Sequence, residues 1–253
     1  MSRIFAVAQN TFREAVRDKV LYVLIFLAVV TIVGSKVLGW ISIGQDIEIV
    51  KSISLGAVSI FGVLIAVFVG TNLIYKEVDK RTIYTIICTP TWRFEFILGK
   101  YCGLALLLAL VTVVMTLVAT AYVAVLGGSV GVTFFVAALL IYFKLLLVTA
   151  LAVLLSSLTS PILGAIIVVA AYWVGHGTRI LINLPDQFSA TSKEILRVIY
   201  YVLPNLANFD ITAEAANGVA VDPKYVAWTI LYGLIYTTML LVLASLAFED
   251  KDV

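Results

Sequence analysis

The sequence is poor in charge, histidine and cysteine, and each shortage excludes a class of protein. Only 13% of its 253 residues are charged and 62% are hydrophobic, whereas a soluble domain typically has about 25% charged residues. The formal net charge of +2 gives no support to nucleic-acid binding, which normally needs a strongly basic surface. Two cysteines, Cys88 and Cys102, and one histidine cannot form the usual zinc site. We therefore expect a membrane protein that binds neither nucleic acid nor metal.

Long apolar runs occupy most of the chain. A transmembrane helix needs roughly 20 mostly apolar residues, and the runs lack the alternating pattern of barrel strands. The sequence thus predicts an all-α polytopic membrane protein, with residues 1–253 forming a single transmembrane domain. Six windows are long enough to span a bilayer: 20–42, 55–75, 101–126, 132–155, 161–182 and 226–248.

The N-terminal segment, residues 1–19, has the pattern of an amphipathic helix rather than of a cleavable signal. We expect it to lie along the cytoplasmic surface of the membrane; the alternative is a cytoplasmic extension of the first span. The predicted apolar face comprises Ile4, Phe5, Ala8, Phe12, Ala15 and Val16, and the polar face Asn10, Arg13, Glu14 and Arg17.

The distribution of Lys and Arg predicts the orientation. Four of these residues precede or begin the first window and five lie in residues 76–100, but only one lies in 43–54 and none in 127–131. Because cytoplasmic loops are enriched in Lys and Arg, both termini and residues 76–100 are predicted to be cytoplasmic. The long connection 183–225 is then extracytoplasmic. A short capped helix is expected at 192–203 and a second short turn within 205–221; the alternative is an ordinary extracytoplasmic loop.

Residues 76–100 combine charge with apolar side chains and read KEVDKRTIYTIICTPTWRFEFILGK. The segment is too apolar for a free linker and too charged for a further span. Such a cytoplasmic element on a membrane protein is expected to contact a soluble partner. The apolar residues best suited to that contact are Ile83, Tyr84, Ile87 and Trp92.

Lys144 is the clearest ionisable residue within a predicted span. A charge near the bilayer centre costs roughly 2.5–3.5 kcal/mol on insertion scales, so it is a candidate for the translocation path, facing a cavity or a partner. The alternative is a tolerated side chain that reaches water. Lys36, His176 and Arg179 lie near the outer ends of their windows, where snorkelling or hydrogen bonding between helices is expected.

Two runs of the sequence bear on catalysis. The chain has no G-x-x-x-x-G-K-[ST] phosphate-binding loop, because Gly99-Lys100 is followed by Tyr101. Residues Gly127–Gly131 fit G-x-S-x-G, and a Ser129–His176 dyad would make the chain an intramembrane serine hydrolase. A glycine-rich turn between two membrane helices is the favoured interpretation of this run. A secondary transporter or a membrane scaffold is a further alternative.

Residues 76–100 resemble the cytoplasmic loop of type-2 ATP-binding-cassette (ABC) export permeases, including those of the nitrous-oxide-reductase maturation kind. In that pattern an acidic residue ends the second span and is followed by a threonine-led helix, a proline turn, an arginine and a closing Gly-Lys. Arg81 stands where many members have glycine. The matching residues here are Glu77, Arg81, Thr82, Pro90, Arg93, Gly99 and Lys100.

The resemblance implies a permease subunit that is not itself an enzyme and binds no cofactor. ATP and Mg²⁺ would be bound by a separate P-loop ABC ATPase, and two permease copies, identical or different, would form the exporter in the inner membrane of a prokaryote. Residues 76–100 would be the coupling loop that docks on the ATPase. Its predicted docking residues are Glu77, Arg81, Thr82, Ile83, Tyr84, Ile87, Pro90, Trp92, Arg93 and Lys100.

Overall fold

The computed structural model describes residues 2–39, 46–79, 93–177 and 204–249, which are helical with short turns and contain no strand. The helices are α1 (Ser2–Val16), α2 (Lys19–Gly39), α3 (Asp46–Asp79), α4 (Arg93–Val125), α5 (Val132–Leu158), α6 (Pro161–His176), a 3-10 helix (Leu206–Phe209), α7 (Thr212–Ala216) and α8 (Pro223–Glu249).

Five of these helices, α2, α3, α4, α5 and α8, are long and apolar enough to cross a membrane. The shorter apolar helix α6 has 16 residues, about 24 Å, whereas the hydrocarbon core of a bilayer is about 30 Å thick. The predicted window 161–182 continues beyond residue 177, outside the described residues. The prediction of an all-α polytopic membrane protein is confirmed.

Helix ends follow from local chemistry. Asp18 accepts a hydrogen bond from the backbone N–H of Val20, and Asp222 accepts one from that of Lys224. These carboxylates satisfy backbone donors at the starts of α2 and α8. Pro161 occupies the first position of α6, where its missing N–H is not needed.

α3 and α5 form the centre of the bundle. About 67% of the most apolar window of each is buried, against 28% for α2 and α8. The outer helices instead present large apolar side chains to the surroundings, such as Phe26, Trp173 and Trp228. Exposed apolar side chains of this kind are expected in a bilayer, where the helices are surrounded by lipid and by other membrane helices.

α1 packs against the beginning of α4. A Cβ at Gly99 would lie 2.7 Å from the Val7 side chain, and one at Gly103 would lie 2.6 Å from the backbone oxygen of Ala8. The side chains of Ala8, Thr11 and Ala15 are buried, whereas Phe5 is 68% exposed. The contact therefore uses Ala8 and Ala15 of the predicted apolar face together with Thr11, which the prediction did not include, since only small side chains fit this close approach.

Candidate functional site

The connection before α8 packs into the end of the bundle beside α6. Residues 204–217, which we name the plug segment, contain the 3-10 helix and α7 and pack on α3, α5 and α6. Leu206, Phe209 and Ile211 are buried there. The segment packs on α6 close to the end of that helix, where Gly175 approaches Pro204.

Two glycines permit this close packing. A Cβ at Gly175 in α6 would lie 2.7 Å from the carbonyl oxygen of Pro204, and one at Gly233 in α8 would lie 2.9 Å from Cζ of Phe209. Hydrogen bonds add to the contact with α8. The backbone N–H of Asn205 donates to the Tyr232 hydroxyl over 2.9 Å, and the Tyr225 hydroxyl donates to the Asn208 carbonyl over 2.8 Å.

Lys144 lies inside the bundle and belongs to a polar network that also includes a residue of the plug segment. Its side chain is 1% exposed, twelve residues or about 18 Å along α5 from Val132. Its Nζ lies 5.9 Å from the centroid of the Tyr172 ring, a distance compatible with cation–π attraction. The Tyr172 hydroxyl is 3.4 Å from the Ser59 hydroxyl of α3. The Tyr172 ring stacks on that of His176 at 5.9 Å.

Asp210 completes this network from the plug segment. Its Oδ2 is 3.3 Å from Nε2 of His176, with about one third of each side chain exposed. Its Oδ1 accepts hydrogen bonds from the backbone N–H and the hydroxyl of Thr212. Burial alone would raise the pKa of Asp210, but the Thr212 hydrogen bonds and the charges of Lys144 and His176 together hold that pKa below its usual value. Asp210 is therefore ionised at neutral pH.

We name Ser59, Lys144, Tyr172, His176 and Asp210 the buried polar network. The sequence singled out Lys144 but no partner for it, and it missed Asp210, Tyr172 and Ser59. The sequence signal that could have pointed to Asp210 was its position between two large apolar residues, Phe209 and Ile211. The structure buries both of these neighbours. His176 contacts Asp210 rather than only reaching towards water. Lys36 is exposed on α2, and Arg179 lies outside the described residues.

Ser129 lies in the turn that joins α4 and α5. Gly127 begins this turn with a φ of 80°, a conformation that glycine adopts at little cost. Ser129 is exposed, and within the described part of the chain no hydrogen bond joins it to His176, whose Nε2 faces Asp210. The arrangement gives Ser129 no base, so the hydrolase alternative is not favoured.

We expect Ser129→Ala to leave transport and assembly unchanged, because the residue serves only as part of a turn. Transport-dependent growth or export in cells that carry this variant provides the measurement. Loss of activity at normal expression and assembly would contradict the turn assignment and revive a nucleophilic role.

The coupling-loop predictions lie mostly outside the described residues. Glu77 belongs to α3 and Arg93 begins α4, and the structure does not describe either side chain. Lys100 is 1% exposed on α4, with its Nζ 5.4 Å from the Phe96 ring centroid. Lys100 thus lies inside the bundle, where a soluble partner does not reach it directly. The predicted residues beyond the described ranges are Arg81, Thr82, Ile83, Tyr84, Ile87, Pro90 and Trp92.

The described bundle, with five helices long and apolar enough to cross a membrane, is that of a multi-pass membrane protein. Residues 5–253 match the family described as ABC-2 family transporter protein, and the chain belongs to this family. It is a transmembrane subunit of an ABC transporter, a class of permease that works with an ABC ATPase subunit. A search of curated proteins finds no match to the chain.

Proposed function

We propose that the chain is the permease of an ABC exporter in which two copies form the translocation unit in a prokaryotic inner membrane. ATP hydrolysis by a separate subunit would move residues 76–100, and α3 and α4 would transmit that movement to the bundle. The export direction rests on the resemblance of residues 76–100 to the loops of type-2 export permeases. The dimer rests on the same resemblance.

The observation that carries the coupling role is the length and position of the two helices that flank this loop. α3 has 34 residues and α4 has 33, so each is about 50 Å long, well beyond the roughly 30 Å of a hydrocarbon core. α3 also packs on α2, α4, α5, α6 and α7. A displacement of the loop would therefore be carried by continuous helices into the centre of the bundle.

α1 adds a second support to this arrangement. It packs on the first turns of α4 at Gly99 and Gly103, immediately after the proposed docking residues. Packing of α1 at this point would stabilise the N-terminal end of α4. A displacement of the loop would then move the whole helix instead of bending its first turns. Lys100, buried in the same region, would contribute to this packing rather than touch the ATPase.

The experiment that tests the function is co-purification of the chain with its soluble partners from membranes in mild detergent. We expect a P-loop ATPase whose ATP hydrolysis rises when the permease is added back. Ion-gradient-driven uptake by the purified chain, with no ATPase bound, would contradict the proposal and favour a secondary transporter.

The proposed orientation gives a separate prediction. In a background lacking Cys88 and Cys102, we introduce Val219→Cys, which is 53% exposed before α8, and Arg13→Cys, exposed on α1. A membrane-impermeant maleimide added to cells with a permeabilised outer membrane should label position 219 and spare position 13. The reverse pattern would show that the termini are not cytoplasmic. Labelling after complete lysis controls for the reactivity of both cysteines.

A further inference from the structure

We propose that the plug segment, residues 204–217, is a gate at one end of the bundle, and that Asp210 is the positioning residue that holds it closed through His176 and Lys144. The proposal deepens the transport role, but it requires neither the assigned orientation nor ATPase coupling. Its basis is the arrangement of charge and packing between the plug segment and the bundle.

The first argument concerns charge. Lys144 is fully buried in α5, and a buried cation is strongly unfavourable unless an opposite charge compensates it. Asp210 contacts His176, whose ring stacks on the Tyr172 ring that Lys144 approaches. Among the described residues it is the acidic group whose charge acts on Lys144, and it belongs to the plug segment rather than to a membrane helix. Lifting the segment would remove the compensating charge from Lys144, so the closed position is favoured electrostatically.

The second argument concerns the mechanical independence of the plug segment. Its helices contain only four and five residues, too few to be stable without tertiary contacts. The segment therefore keeps its position through its contacts with the membrane helices, in which Phe209 packs over Gly233 and Pro204 over Gly175. Because these contacts are side-chain packing and hydrogen bonds rather than a bilayer span of its own, the segment can move as a unit when the helices that hold it shift.

The third argument concerns how the gate would be connected to the rest of the bundle. α7 packs on α3, and Ser59 of α3 reaches Tyr172 in the buried polar network. α3 also continues to Asp79, at the opposite end of the bundle. A displacement of α3 would thus change two contacts that hold the plug segment. One is the packing of α3 on α7, and the other is the placement of Tyr172 beside Lys144.

The test measures the accessibility of a buried position in the plug segment. Ala207, which is 4% exposed, is changed to cysteine in the full chain lacking Cys88 and Cys102, and the protein is reconstituted in lipid nanodiscs. A water-soluble maleimide reaches both faces of a nanodisc, so the labelling rate does not depend on the orientation. We expect slow labelling of this parent, because the closed segment shields position 207.

Asp210→Asn should raise the labelling rate about tenfold, since it removes the charge that compensates Lys144 at nearly constant shape. Lys144→Met should also raise it. The Lys144→Met, Asp210→Asn double variant should label more slowly than Asp210→Asn alone, because no uncompensated charge remains in the bundle. A purely structural role of Asp210 would not produce this reversal.

A milder variant keeps the test decisive if Asp210→Asn does not assemble. Thr212→Val removes the hydroxyl that donates to Asp210 over 2.6 Å and should raise labelling roughly threefold to tenfold, in line with the loss of one hydrogen bond of ordinary net strength. Thr238→Val is the matched control, because the Thr238 hydroxyl bonds only within α8. Equal labelling rates of Thr212→Val and Thr238→Val would overturn the proposal. So would a double variant whose increase in labelling rate equals the product of the increases for Asp210→Asn and Lys144→Met.

Discussion

The Tyr84→Ala, Trp92→Ala double variant is expected to enter the membrane and form the proposed dimer normally, yet to lose the proposed ATPase partner. A short apolar element that docks on a soluble protein usually obtains most of its binding energy from a few buried aromatic anchors. Truncating one anchor typically costs about 2 kcal/mol or more, a loss of roughly thirtyfold in affinity. Both residues lie in the predicted coupling loop, outside the membrane helices, so folding of the bundle should not be affected.

Retention of the ATPase on the purified permease and stimulation of its ATP hydrolysis are the two measurements. The matched control is Tyr22→Ala, Trp228→Ala, which removes the same side-chain types from positions on α2 and α8 that are 57% and 70% exposed. This control should bind the ATPase as the parent does. Undiminished ATPase binding by the loop variant would show that the anchors lie elsewhere.

Gly103→Ala is expected to produce the second large effect by separating α1 from α4. Its new Cβ would lie 2.6 Å from the Ala8 carbonyl oxygen and 2.7 Å from Cβ of Thr11. Neither atom belongs to the end of a flexible side chain, so the helices themselves must shift. Overpacking of this kind typically costs 1–3 kcal/mol. If α1 braces α4, stimulation of ATP hydrolysis should fall as well.

Gly56→Ala is the control for this substitution. It is also a helical glycine, but nothing lies within 4 Å of its added Cβ, and alanine is favoured over glycine in a helix by roughly 0.5–1 kcal/mol. The midpoint of thermal unfolding in detergent should therefore fall for Gly103→Ala and stay constant or rise for Gly56→Ala. A normal midpoint and normal coupling for Gly103→Ala would show that the α1 contact is dispensable.

Some features of the interior could be read from the sequence because their physical cause is local. A charge in an apolar run marks Lys144 as unusual whatever surrounds it, and the run Gly127–Gly131 suits a turn through its composition alone. The partner of Lys144 could not be found in this way. Asp210 lies 66 residues further along the chain, and its neighbours in sequence carry no motif that indicates a contact with α5.

The α1 contact shows the same limit at a smaller scale. Amphipathicity predicted a helix, and the helix is present at Ser2–Val16. The predicted face included Phe5, however, whereas the structure buries Thr11 beside Gly103 and leaves Phe5 exposed. Hydrophobicity placed Ala8 and Ala15 on the buried face, but close packing on α4 added Thr11 to that face and left Phe5 outside it.

The sequence alone determined that this chain is a helical membrane protein, because apolar runs of about 20 residues must satisfy their backbone hydrogen bonds internally in lipid. The tertiary structure decided which faces of those helices point inward. In a soluble helix the apolar stripe marks the buried face, but here lipid-facing and buried faces are both apolar. The rotation of each helix, and with it the meeting of Lys144, Tyr172, His176 and Asp210, depends on packing between elements that are distant in sequence.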